Sequence, residues 1–153
     1  MAYRIVQEYY EAAAVVARED FDGFVRHYFA DGAGVWLAEK KGDILGCIAL
    51  RTLPSSNDCG EVKRLYVRPE FRGLGIADKL LEALEQFAKG FGYEWLYLDT
   101  AAEMKAAARF YEKKAFERCE RYNENPQAAI FMKKSLRGTM RRQRSGTDTL
   151  PEL

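Results

Sequence analysis

EVKRLYVRPEFRGLGIADKLL, residues 61–81, joins an extended segment to a helix through a glycine-rich turn, and the rest of the chain is read outward from it. Residues 61–67 are rich in strand formers and run into Arg68-Pro69, where the proline ends ladder pairing and biases its predecessor to extended geometry. Beyond the turn Ile76, Leu80, Leu84, Phe87 and Phe91 recur at the spacing of one buried helix face, so a helix starts near Gly75. Its first amides have no intrahelical partner and lie at the positive end of the dipole, which makes the turn a site for an anion of phosphate type. Gly73, Gly75 and Ala77 keep side chains off the concave side, and Arg72 adds a charge. No Lys-Ser/Thr pair follows the glycines, as a P-loop requires, and Asp78 stands where a dinucleotide fingerprint has its third glycine. The turn grips a phosphate in another way.

With 153 residues, 48% of them hydrophobic and 31% charged, the chain suits one domain with a sizeable core rather than a disordered segment. A net charge of +1 gives no footprint for nucleic acid. No apolar run has the length of a membrane span and the start lacks the pattern of a secretory signal, so a cytoplasmic protein is expected. Cys47, Cys59 and Cys119 are odd in number and lack a Cys-x-x-Cys spacing, which points to reduced thiols and to no metal site.

In chain order, Tyr3 to Val6 reads as a strand, residues 11–18 as an Ala-rich helix, and Asp20 as the cap of a second helix through Phe21, Phe24, Val25, Tyr28 and Phe29. Two β-type runs, residues 35–39 and 44–53, flank the polar turn Lys40-Lys41-Gly42-Asp43 and read as a hairpin. Residues 54–60 read as a loop. After the central helix, punctuated by Gly90 and Gly92, residues 95–98 form an apolar strand of the type buried on both faces. Strand, crossover helix and strand imply a parallel pair with its ligand crevice at the carboxyl ends. Residues 103–114 follow as a helix with Met104, Ala107, Ala108 and Tyr111 on one face, then strands at 116–120 and 128–133. From Arg137 the pattern dissolves into a basic tail, residues 137–153, expected to be disordered.

Arg72-x-x-Gly75-x-Ala77, preceded by its strand and by the run from Val67 to Gly73, resembles the signature of the GCN5-related N-acetyltransferase (GNAT) family. Leu98-Asp99-Thr100, Met104-Lys105-Ala106-Ala107, Phe110-Tyr111-Glu112-Lys113 and Ala115-Phe116 resemble, in order and spacing, the second half of that fold. The resemblance covers residues 34–134 well and the N-terminal part loosely. It implies one α/β (α+β) domain, residues 1–136, with a mixed, mostly antiparallel central sheet splayed at the cofactor site and flanked by about four helices.

The same resemblance implies an acetyl-CoA-dependent N-acetyltransferase acting on a primary amine by direct attack in a ternary complex. Arg72, Gly73, Gly75, Ile76 and Ala77 would hold the pyrophosphate. Leu65 and Val67 would pair with the pantetheine arm past a strand bulge, with the Leu65 N–H polarising the thioester carbonyl. Tyr111 would assist the leaving thiolate, and Glu61 would deprotonate the ammonium. Each has a plainer alternative: a helix end holding solvent, a buried aromatic, an ion-paired glutamate. Glu61 also stands roughly 13 Å along the strand from Leu65, which calls for a water relay. A catalytically weak or inactive acyl-CoA-binding regulatory module is the alternative function. The acceptor is expected to be a small amine or amino acid before a protein amine, and the sheet edge at residues 128–133 to support a homodimer. His27 is assigned to a packing or surface role; Tyr122, Asn123 and Asn125 either border an acceptor pocket or form ordinary turns. Two departures from the family pattern are Ala115 for Gly and Met104 for Asn. The first matters only if the turn needs positive φ.

Overall fold

The computed structural model describes residues 3–8 and 31–137. The helices expected over residues 11–18 and from Asp20, His27, and the tail beyond Arg137 lie outside the described residues. The chain divides into two compact units, Met1–Gly92 and Tyr93–Leu153.

In the first unit, strands β1 (Arg4–Glu8), β2 (Gly34–Lys40), β3 (Asp43–Leu53) and β4 (Ser56–Val67) pair antiparallel in that order. Lys41 and Gly42 both have positive φ (50° and 87°), the backbone of a two-residue hairpin turn whose twist suits the flanking strands. Val35 to Ala38 and Leu45 and Cys47 to Leu50 are all buried, so the middles of β2 and β3 are covered on both faces. Helix α1 (Ile76–Phe91) starts at Gly75 and ends at Gly92, both left-handed (φ 82° and 110°). It buries Ile76, Leu80, Leu81, Leu84 and Ala88, and Phe87 meets Trp36 of β2 edge-on at 5.4 Å between ring centroids. Each of these leucines is worth about 1.5–3 kcal/mol on burial. Phe91, expected on the buried face, is 48% exposed.

The loop expected over residues 54–60 is mostly strand. Leu53 pairs Ser56 and Thr52 pairs Gly60, so Asn57 and Asp58 are carried outward by a register shift while the hairpin stays closed. Their polarity reflects exposure on an irregular strand.

In the second unit, β5 (Trp95–Thr100), β7 (Ile130–Ser135) and the two-residue β6 (Glu117–Arg118) pair antiparallel in the order β5-β7-β6, with helix α2 (Lys105–Lys113) between β5 and β6 in sequence. Leu96, Leu98 and Met132 are fully buried, whereas Trp95, Tyr97 and Asp99 are half-buried. Thus β5 alternates, and the expectation of burial on both faces is corrected: its odd-numbered residues carry amphipathic or polar side chains. Residues 128–133 do not form an open edge either, because β6 and the Cys119 N–H bonded to Phe131 O cover β7 on the side away from β5. Met104 is exposed rather than on the buried face of α2.

Among the described residues there are two α-helices and one short 3-10 turn (Pro69–Phe71), so about four flanking helices are not supported. No described helix is long and apolar enough to cross a membrane.

Candidate functional site

The turn between β4 and α1 has the backbone that its glycines predicted. Gly73 and Gly75 have φ near 80°, and a Cβ on either would meet nothing within 4 Å, so the need for glycine is conformational rather than steric. Arg72, Gly73, Leu74 and Gly75 are exposed, while Ile76 turns its side chain into the core. The ladder of α1 begins with Lys79 N–H donating to Gly75 O at 3.2 Å, and Gly75 offers no capping side chain. The amides of Gly75, Ile76 and Ala77 therefore precede the ladder, at the positive end of a 16-residue helix. Such an end suits an anion.

Arg72 does more than add charge. Its Nε donates to Val67 O at 2.7 Å and its guanidinium lies over the Tyr66 ring, 5.4 Å from the centroid. It ties the end of β4 to the turn, so the Val67 carbonyl is already engaged. On the other side, Arg68 N–H donates to Leu45 O at 2.9 Å. Gly46 pairs with Val67 so closely that a Cβ there would lie 2.7 Å from Tyr66 O. The last residues of β4 are thus held from both ends.

Two residues further back, β4 bulges. Cys47 pairs Tyr66 and Ala49 pairs Lys63, so Arg64 and Leu65 together oppose Ile48. Arg64 takes φ 62°, and the Cys47 thiol donates to its carbonyl at 3.2 Å. A bulge disrupts the local ladder and re-aims the strand. The bulge falls at Arg64 and Leu65, on the ladder that β4 makes with β3. Burial pushes the Cys47 thiol up to about 11, so it stays protonated and able to donate at neutral pH.

Glu61 lies inside β4 and is fully buried, opposite Arg51 in register. Its Oε1 accepts from Arg51 Nε at 2.8 Å, and Oε2 lies 3.7 Å from Lys63 Nζ. Both carboxylate oxygens face cations. This is the ion-paired environment that was the plainer alternative, and proton transfer to it would need a relay.

Tyr111, in the second unit, is 5% exposed on the buried face of α2. Its ring meets Phe110 and Phe116, each at 5.3 Å between centroids, and burial holds its phenol above the usual range. Phe116 N–H donates to Tyr111 O at 3.0 Å and Ala115 N–H to Glu112 O at 3.1 Å, with Ala115 at φ 74°. These are the two bonds and the left-handed residue of a Schellman ending, including its apolar contact between Phe116 and Tyr111. Ala115 therefore occupies a position that does need positive φ.

Sequence reasoning missed the parts played by Arg64, Arg121 and Asp99. Arg64 carries no sequence signal for its left-handed conformation. Arg121 bonds the carbonyls of Asn123, Asn125 and Ala128, and Asn123 Nδ2 donates to Asp99 Oδ2 at 2.6 Å. The sequence signal for that loop was Asn123-x-Asn125-Pro126, a pair of Asx-turn formers.

Residues 2–116 match the acetyltransferase (GNAT) family. An uncharacterized N-acetyltransferase of Schizosaccharomyces pombe is 38% identical over 88 residues, which make up 58% of this chain and 53% of that protein. Among solved structures, a GNAT-family acetyltransferase from Staphylococcus aureus Mu50 is similar at TM-score 0.75 and 21% identity, over 89% of this chain and 100% of the other. A GNAT-family acetyltransferase from Elizabethkingia anophelis with acetyl-CoA bound is similar at TM-score 0.61 and 18% identity, over 87% and 97%. At these identities the structural likeness shows the fold. This chain spans 53% to 62% of the length of its curated relatives from Schizosaccharomyces pombe, Escherichia coli and Xenopus tropicalis.

Proposed function

This chain belongs to the acetyltransferase (GNAT) family, and on that premise we propose that it moves an acetyl group from acetyl-CoA to a primary amine by direct attack in a ternary complex. The observation that carries this reading is the turn at residues 72–77: two glycines in positive φ, an exposed concave backbone, and helix amides preceding the ladder. The backbone amides from Gly73 to Ala77 bind the pyrophosphate, with Arg72 supplying charge and bracing the end of β4. The Leu65 N–H, at the bulge, polarises the thioester carbonyl as negative charge develops on its oxygen. The amine lone pair attacks the carbonyl carbon, the C–S bond breaks, and Tyr111 donates a hydrogen bond or its proton to the departing thiolate. The amine's surplus proton passes through water to Glu61 or to bulk. Most of the rate comes from positioning.

The acceptor is a small amine or amino acid in preference to a protein amine, and the reaction is cytoplasmic. The closed ion pairing of Glu61 gives some support to a second reading, an acyl-CoA-binding regulatory module without turnover. Release of free thiol from acetyl-CoA across an amine panel favours the enzyme; acetyl-CoA binding without thiol release favours the module.

The first test is a thermal-shift titration of the full chain with acetyl-CoA, CoA, ATP and NAD. A ligand at about 100 times its Kd stabilises by about 2.7 kcal/mol. Acetyl-CoA and CoA should raise Tm while ATP and NAD do not. Gly75→Ala, forced into a left-handed conformation, should weaken the CoA shift. Absence of any CoA shift in the wild type would remove the acetyltransferase reading.

A further inference from the structure

Within the second unit a cavity of about 270 Å³ opens between α2, Arg118 of β6 and Ile130 at the start of β7. Ala102, Lys105, Ala108, Arg109, Arg118 and Ile130 line it. Lys105, Ala108 and Arg109 stand three and four residues from the first of them along α2, so they share one side of the helix. Ala108 and Ile130 are 3% and 9% exposed and make an apolar floor. Lys105, Arg109 and Arg118 are exposed and make a cationic rim. Among the described residues no carboxylate lines the cavity.

The charges on this rim run against local preference. Lys105 opens α2, the end at which the helix dipole favours an acid, and no acid stands in that first turn. Arg109 follows at i+4, the spacing at which like charges repel. The ladder of α2 begins with Ala108 N–H donating to Met104 O at 3.2 Å, and Met104 offers no capping side chain. The amides of Lys105, Ala106 and Ala107 therefore add positive potential at the same end. Arg118 Nε lies 3.4 Å from Glu112 Oε2, but both side chains are about half exposed, and a pair so hydrated is weakly held. Lys105 and Arg109 form no ion pair among the described residues. Three cations gathered over an apolar floor against helix preference are arranged for a negative partner from outside.

We propose that this cavity binds a small carboxylate carrying a short apolar body. Arg109 and Arg118 present planar donor forks that match a carboxylate, and Lys105 adds a point charge. The body of the ligand covers Ala108 and Ile130, which a bare phosphate would leave wet. The volume lies just under the roughly 300–1,000 Å³ of pockets for drug-sized ligands, which limits the ligand to a small acid. The site lies wholly in the second unit and uses none of the residues assigned above to acetyl transfer, so it stands apart from that reading.

The test follows backbone amide shifts by NMR while the isotope-labelled full chain is titrated with benzoate, acetate, benzyl alcohol and inorganic phosphate. Benzoate should shift the amides of residues 102–109, 118 and 130. It should bind severalfold tighter than acetate, which lacks the body, and about tenfold or more tighter than benzyl alcohol, which lacks the charge. Arg109→Gln and Arg118→Gln should each weaken benzoate severalfold while melting like the wild type. Lys113→Gln removes one charge from the same helix outside the cavity and should leave benzoate binding unchanged. Benzoate shifts that miss these amides, equal binding of benzyl alcohol, or an equal loss in Lys113→Gln would each overturn the proposal. Phosphate matching benzoate at these amides would overturn it too, since the apolar floor would then take no part.

Discussion

Replacing Ala115 by glycine should stabilise the protein. Ala115 sits at φ 74°, where an L side chain costs roughly 1–2 kcal/mol because its Cβ crowds the following carbonyl. Glycine abolishes that strain but adds about 0.4–1 kcal/mol of unfolded-state entropy. Ala115 is exposed, so the lost methyl forfeits little burial, and the Schellman bonds to Tyr111 O and Glu112 O need only backbone. The net gain is about 0.5–1 kcal/mol. For a chain of this size that is a rise in Tm of about 1–4 °C. Differential scanning calorimetry or urea melts of wild type, Ala115→Gly and Ala115→Val would measure it. The β-branched variant should fall by about 1 kcal/mol or more, since valine tolerates this region least. A lower Tm for Ala115→Gly, with helix content unchanged by circular dichroism, would refute the strain argument. It would also mean that the helix end holding Tyr111 is fixed by something other than its left-handed residue.

Glu61→Gln leaves Arg51 and Lys63 facing a neutral amide in a buried position, and should cost about 2–3 kcal/mol in urea melts; an unchanged midpoint would show that the pairing is not structural. Tyr111→Phe should lower kcat with the best amine by about tenfold or more at unchanged acetyl-CoA KM, and unaltered turnover would take the phenol out of the reaction. The folded Cys47 holds its proton to about pH 11 against 9.0 for an ordinary thiol. The folded state therefore binds the proton more tightly. Its contribution is complete below pH 9 and is lost as pH rises towards 11, by about 2 kcal/mol. Wild type should lose more stability over that window than Cys47→Ala, and identical slopes would show that the thiol titrates alike in both states.

Local rules made much of the site legible. The turn from Arg72 to Ala77 was readable because glycine spacing, the preceding proline and the helix period act within a few residues of one another, and the start of α1 followed from the same pattern. The hairpin at Lys41-Gly42 was readable for the same reason. Residues 54–60 were misread because a strand that shifts register carries polar residues outward and so mimics a loop. β5 was misread because Trp and Tyr count as apolar by composition, although Trp95 and Tyr97 stand half-buried.

By itself the sequence determined that a strand, a glycine-rich turn and an amphipathic helix follow one another, since backbone geometry, turn chemistry and hydrophobic period are properties of neighbouring residues. Tertiary structure alone decided what the charged and strained residues do. Glu61 is sealed between Arg51 and Lys63 by the register of β3 against β4. Arg64 is left-handed because two residues must oppose Ile48. Asp99 meets Asn123 because Arg121 folds the intervening loop back over β5. Each depends on a partner ten or more residues away or on a mismatch between two strands, and pairing of that kind is settled by which burial the whole fold permits rather than by any local preference.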